Sequence, residues 1–202
     1  MNILLQLLSP LRHGWSWLML LLLFCLPLQV QAAEEGPSDD QINAVFLYNF
    51  AVFVHWPDTA FANSQSPFRY CVVGEDDFID TLALTLQGEA VKGRSLVASV
   101  INPANSKVKN QTPLSDCQVV YIRQDAMDKW PDIAREIATK PILTVSDSRD
   151  FVASKAGMLS LVKQKNRIRP AINITNVAST SLKVSAKLRR ISEQVSKRQG
   201  GL

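Results

Sequence analysis

The stretch CQVVYIRQDAMDKWPDIAREIATKPILTV, residues 117–145, decides the fold. Cys117-Gln118-Val119-Val120-Tyr121-Ile122 is a short apolar run rich in β-branched residues, and it predicts a buried strand. Residues 125–139 predict a helix, with a first turn ahead of Pro131. Ile142-Leu143-Thr144-Val145 predicts a second buried strand. Apolar strands joined through a helix belong to a mostly parallel sheet covered on its faces.

Toward the N-terminus the same rhythm continues. Phe68-Arg69-Tyr70-Cys71-Val72-Val73 predicts a strand closed by Gly74. Asp76 or Asp77 then caps a helix through Leu86, with Phe78, Ile79, Leu82 and Leu86 on one face. Residues 93–101 predict another strand, with Leu96, Ala98 and Val100 alternating with polar or smaller neighbours, and residues 102–113 a polar connection. Further upstream, Ser38-Asp39-Asp40-Gln41 is a capping box with two acids at the positive end of a helix dipole. Ile42, Val45, Phe46, Asn49, Phe50 and Phe53 follow at helical spacing, and Pro57 ends that helix. His55-Trp56-Pro57 reads as a helix end packed on the core.

Toward the C-terminus, residues 158–162 and 168–174 predict two strands joined by the turn Gln164-Lys165-Asn166, an antiparallel hairpin with Pro170 at an edge or bulge. Helical turns interrupted near Leu182 follow, then a main helix over 185–195 and a frayed Gly200-Gly201 end. The predicted class is α/β. It is a single domain with a mixed, mostly parallel, Rossmann-like sheet, helices on its faces and an antiparallel hairpin near the C-terminus.

The compartment is written in the first thirty residues. Arg12 precedes the apolar run from Trp15 to Leu26, which is followed by Val30-Gln31-Ala32. A positive start, a short apolar run and small residues at a cleavage site predict a secretory signal peptide over 1–32, leaving 33–202 as one domain. The run is shorter than the roughly 20 residues of a membrane span. Phe24 ahead of Cys25 speaks against lipidation. Of the formal charge of +4, removal of Arg12 leaves +3, too weak to argue for nucleic acid.

Composition narrows the chemistry. Charged residues are 20% and hydrophobic ones 47% of the chain, which excludes a disordered protein. Of two His, only His55 survives cleavage, so neither a three-His zinc site nor a two-His iron site can be built. Neither a metal nor a cofactor is expected. Gly74-Glu75-Asp76-Asp77 lacks the dinucleotide glycines and is acidic where a pyrophosphate would sit. Gly88 and Gly93 flank Lys92 without a phosphate-loop pattern and read as turn glycines. No nucleophile–base pair can be placed, and the protein is not expected to be an enzyme.

Of three Cys, Cys71 and Cys117 remain after cleavage. In an oxidising compartment they suggest one disulfide, sterically plausible if their strands are parallel neighbours; two buried free thiols are the alternative. Ser146-Asp147-Ser148-Arg149-Asp150 follows a strand at the end where parallel sheets bind ligands, although a loop with side-chain caps is the plainer reading. Arg167 and Arg169 alternate on one strand, hence on one face, and could grip a carboxylate or phosphate. Lys183, Lys187 and Arg190 fall at i, i+4, i+7, either a solvated helix face or a docking surface for an acidic partner.

The chain resembles the YfiR/HmsC-like periplasmic family along nearly all of residues 33–202. The matching residues include Val45–Ala51 with Val54-His55-Trp56-Pro57, Phe68–Gly74, Lys92-Gly93-Arg94, Ser115–Ile122, Pro141–Asp147, Gly157-Met158, Asn166-Arg167 and Ile172-Asn173-Ile174. The resemblance implies a non-enzymatic periplasmic regulator that binds the periplasmic portion of an inner-membrane diguanylate cyclase and limits cyclic di-GMP signalling and biofilm formation. It implies an OmpA-like outer-membrane lipoprotein as a second partner, and a homodimer. It places Cys71 and Cys117 at positions the family uses for a disulfide. A second Cys pair, carried by some relatives across 147–156, is absent here. A periplasmic sensor that takes a small ligand near Arg167 and Arg169 and informs a membrane partner is the alternative function.

Overall fold

The computed structural model describes residues 36–74, 77–101, 112–153 and 157–195. The capping box forms as the sequence predicts. Ser38 N donates to Gln41 Oε1 at 2.8 Å, and Gln41 N donates to Ser38 Oγ at 3.2 Å. They open helix α1, Asp39–Phe53. The helix stops short of Pro57 because Val54–His55 leave it as strand β1.

β2, Phe68–Val73, leads into α2, Phe78–Leu86. Asp77 precedes α2 without a capping side-chain bond, and Asp76 lies outside the described residues. β3, Ala90–Val91, turns back into β4, Arg94–Val100. Lys92 and Gly93 between them both take positive φ, 52° and 77°, the twist a two-residue hairpin turn requires. The expected alternation in β4 is only partly kept: Leu96 is buried, but Val100 is half exposed. The expected polar connection falls mostly outside the described residues, as do the predicted signal peptide and the Gly200-Gly201 end.

β5 is Val119–Ile122 and β6 is Leu143–Ser146. The helix expected between them divides at Pro131 into a 3-10 segment, Gln124–Lys129, and α3, Trp130–Ile137. After α4, Asp150–Ala153, come β7, Leu159–Gln164, and β8, Arg167–Ile172. These two form the predicted antiparallel hairpin, with Leu159 opposite Ile172 and Gln164 opposite Arg167. The chain continues through α5, Ile174–Ala178, β9, Lys183–Val184, and α6, Ala186–Ile191, to β10, Glu193–Gln194.

The expected helix over 185–195 is therefore corrected. Ser192 Oγ donates to Leu188 O at 2.7 Å, a side-chain bond that competes with helix continuation. The open edge of β8 then takes Glu193–Gln194 as a parallel strand opposite Ala171–Ile172. Pro170 sits one position before this pairing begins, where its missing N–H costs no outer bond.

The main sheet has eight strands in the order β10-β8-β7-β6-β5-β2-β4-β3, and β4 through β7 run parallel. β1 and β9 form a separate antiparallel pair. All four residues of β5 and of β6 are buried, as strands covered on both faces must be. On one face Tyr70, Val72, Val119, Tyr121, Leu143 and Leu159 meet Leu47 and Phe50 of α1, Leu82 of α2 and Leu188 of α6. On the other, Val73, Val120 and Ile122 meet Trp130 and Ile133 of α3 and Phe151 of α4. Gly157 passes so close to Phe151 that a side chain there would collide with the ring.

Candidate functional site

Open parallel sheets bind ligands beyond the carboxyl ends of their strands. Here the protein's own charges meet past β5 and β6. Arg123, one residue past β5, donates from Nη1 to Asp40 Oδ1 at 2.8 Å and lies 3.1 Å from Asp147 Oδ2, one residue past β6. Its guanidinium also stands 5.2 Å from the Phe78 ring centroid. Tyr121, within hydrogen-bonding reach of Asp147 and Arg123, accepts from Asn43 Nδ2 at 3.3 Å. Four elements are thus tied together: α1 through Asp40 and Asn43, β5 through Tyr121, and the loops after β5 and β6.

The electrostatics fit a latch. Burial raises the Asp147 carboxyl above its ordinary value, against the lowering pull of Arg123. Burial likewise raises the Tyr121 phenol, which stays protonated and can donate. Gly74, at the end of β2, leaves room for the arginine: its φ is 152°, and a Cβ there would come within 2.8 Å of Arg123 Cγ. The rest of the loop after β6 behaves as a capped turn, with Ser148 N donating to Ser146 Oγ at 3.0 Å and Ser160 Oγ to Ser148 O at 2.9 Å. Sequence reasoning singled out Asp147 within this loop but missed Asp40, Asn43, Tyr121 and Arg123. Residues eighty positions apart carry no local pattern that joins them.

The predicted binding residues stand elsewhere. Arg167 and Arg169 are exposed on β8. Lys187 and Arg190 are exposed on α6, where basic residues in the last turn suit the helix dipole. Lys183 does not join them on a helix. It lies on β9 opposite His55, so the three-residue stripe is corrected to a strand residue and two helix residues. Lys187 Nζ instead sits 4.6 Å over the Phe53 ring. His55 is exposed and its Nδ1 lies 2.8 Å from Lys92 Nζ, while its neighbour Trp56 is buried and donates to Gln118 O at 3.2 Å.

Cys71 and Cys117 are joined by a disulfide, with Cα atoms 5.9 Å apart. Their strands, β2 and β5, are parallel neighbours, although neither residue begins its strand. Cys71 is the fourth residue of β2, and Cys117 caps the 3-10 turn two residues ahead of β5. Among the described residues no group of three His, Cys, Asp or Glu is placed to hold a metal ion, and no helix is long and apolar enough to cross a membrane.

These features define a disulfide-bridged α/β protein of three layers in which an arginine just past β5 pairs with aspartates just past β6 and on α1. The chain belongs to the YfiR/HmsC-like family, whose profile matches residues 40–193, from the first turn of α1 to β10. No curated protein matches the chain.

Proposed function

We propose that this protein is a periplasmic, non-enzymatic regulator that binds and restrains an inner-membrane diguanylate cyclase, lowering cyclic di-GMP and biofilm formation. The observation that carries this reading is membership of the YfiR/HmsC-like family across residues 40–193. Residues 1–32 act as the export signal, cleaved after Ala32, and the mature domain begins at Ala33. The Cys71–Cys117 bridge suits an oxidising compartment. The mature protein acts as a homodimer, and an OmpA-like outer-membrane lipoprotein relieves the restraint by sequestering it.

Such control needs differential binding alone. Moving a cyclase from 99% active to 99% inactive takes about 5.5 kcal/mol of preference for the inactive state, within reach of an ordinary protein interface. Deleting the gene in a cell that expresses the cognate cyclase should raise cyclic di-GMP, and restoring it should lower the level again. An unchanged level with the cyclase present would refute the reading.

A further inference from the structure

Helix α1 has an outer face of unusual composition. No charged residue occurs between Asp40 and His55. Gln41, Val45, Asn49, Val52 and Phe53 follow at the spacing of one helical stripe, with Val45 51% and Val52 48% exposed. Along the first half of this stripe runs a groove of about 570 Å³ between Pro37, Ile42, Val45, Phe46, Asn49 and Thr85. A surface helix normally places charge on its outer side, so an uncharged stripe beside a groove marks an interaction surface.

The charges around the stripe indicate what covers it. At its C-terminal end Lys187 Nζ stands 4.6 Å over Phe53. Lys183 lies opposite His55 in the β1–β9 pair, and Lys92 Nζ reaches His55 Nδ1 at 2.8 Å. Arg190 follows Lys187 by one turn of α6. No carboxylate among the described residues forms an ion pair with Lys92, Lys183 or Lys187. At the other end of the helix the acids are already engaged: Lys163 Nζ donates to Asp39 Oδ2 at 2.6 Å, and Arg123 holds Asp40. Exposed Glu89, whose Oε2 accepts from Tyr48 Oη at 3.0 Å, sets an acid beside the stripe, and against Lys92, Lys183 and Lys187 the balance of charge stays positive. A second copy docked about a two-fold axis with antiparallel α1 helices would set each basic corner against Asp39 and Asp40, whose carboxylates are taken. A different protein that brings its own acids fits better.

We infer that the α1 stripe and the basic corner of Lys92, Lys183 and Lys187 form one docking surface for an amphipathic, acidic segment of a partner protein. Its apolar side chains lie along Val45 and Val52 and its carboxylates meet the lysines. That the partner is the cyclase rests on the function proposed above; the chemistry of the segment does not.

The test uses the full-length protein in its own cell, with a photo-cross-linking amino acid at Val45 and, as control, at exposed Glu136 on α3. The Val45 probe should capture a peptide of another protein that carries Asp or Glu beside apolar residues, and the Glu136 probe should not. Val52→Asp, or Lys183→Glu with Lys187→Glu, should each cut the yield about tenfold, the loss from roughly one mispaired charge at an interface. Both variants should melt within a few degrees of the wild type, since Val52→Asp sets an anion in the last turn of α1 and Lys187→Glu gives up the contact with Phe53. Capture of a second copy of this chain, capture of a segment without acids, or a yield unmoved by either variant would overturn the surface. Should an acidic, apolar segment be captured while gene deletion leaves cyclic di-GMP unchanged, the surface stands and the cyclase reading fails.

Discussion

Replacing Arg123 by Met would expose how the sheet's carboxyl end is held. The methionine keeps the aliphatic length against Phe78 but removes the cation between Asp40 and Asp147. Breaking a fully buried pair costs about 3–5 kcal/mol, because a charge is left without compensation. Here the side chains of Arg123 and Asp147 are 17% and 19% exposed and that of Asp40 is 38% exposed, so water screens part of the loss. We expect about 2–3 kcal/mol, or roughly 4–12 °C in Tm for a chain of this size. The sign of the pH dependence follows from Asp147. Its folded value lies above its unfolded one through burial, and without Arg123 it rises further. Between the two values the folded state holds more protons than the unfolded state, so stability falls as pH rises through that window. The deficit of Arg123→Met should therefore be smaller at pH 5 than at pH 7, and Asp147→Asn in the same chain should recover most of it. Thermal unfolding of the oxidised protein at both pH values reads all of this. A deficit below about 0.5 kcal/mol, the range of ordinary surface substitutions, or one that neither pH nor Asp147→Asn changes, would refute the latch.

Other consequences follow from single features. Cys71→Ser should cost about 2–5 kcal/mol, since the bridge closes a loop worth roughly 4 kcal/mol of chain entropy; alkylation of the unreduced wild type should leave both cysteines unlabelled. Gly74→Ala should lower stability by about 1–3 kcal/mol, because a Cβ at that φ meets both Cβ and Cγ of Arg123, and Arg123→Gly, which removes both atoms, should soften the penalty in a double-mutant cycle. N-terminal sequencing of the protein recovered from the periplasm should begin at Ala33; an intact Met1 in the membrane fraction would reject cleavage. Arg167→Glu with Arg169→Glu, both exposed on β8, should shift stability by no more than about 0.5 kcal/mol. If a small anionic metabolite raises the Tm of the wild type but not of this variant, a ligand-sensing role gains support.

The elements legible in the sequence were those whose signals are local. The Ser38–Gln41 capping box, the apolar runs of β2, β5 and β6, and the turn at Gln164-Lys165-Asn166 each carry their structure within a few residues. The ends of α1 and α6 were misread for a tertiary reason. Val54–His55 and Glu193–Gln194 leave helical sequence because strand partners, Lys183–Val184 and Ala171–Ile172, wait for them elsewhere in the chain. The β3–β4 hairpin was overlooked because its signal is a bare Lys92-Gly93 after a first strand of only two residues. Neither the ion-pair latch nor the corner of Lys92, Lys183 and Lys187 could be read from spacing. Each is assembled from segments far apart in sequence, and only the topology brings them together.

The central claim is restraint of a diguanylate cyclase by direct docking. It is tested most directly by measuring cyclic di-GMP formed from GTP by the detergent-solubilised cognate cyclase as purified mature protein, residues 33–202, is added. Synthesis should fall saturably with added protein, and Val52→Asp should shift the titration to about tenfold higher concentration. A rate of synthesis unaffected by saturating wild-type protein would contradict the account.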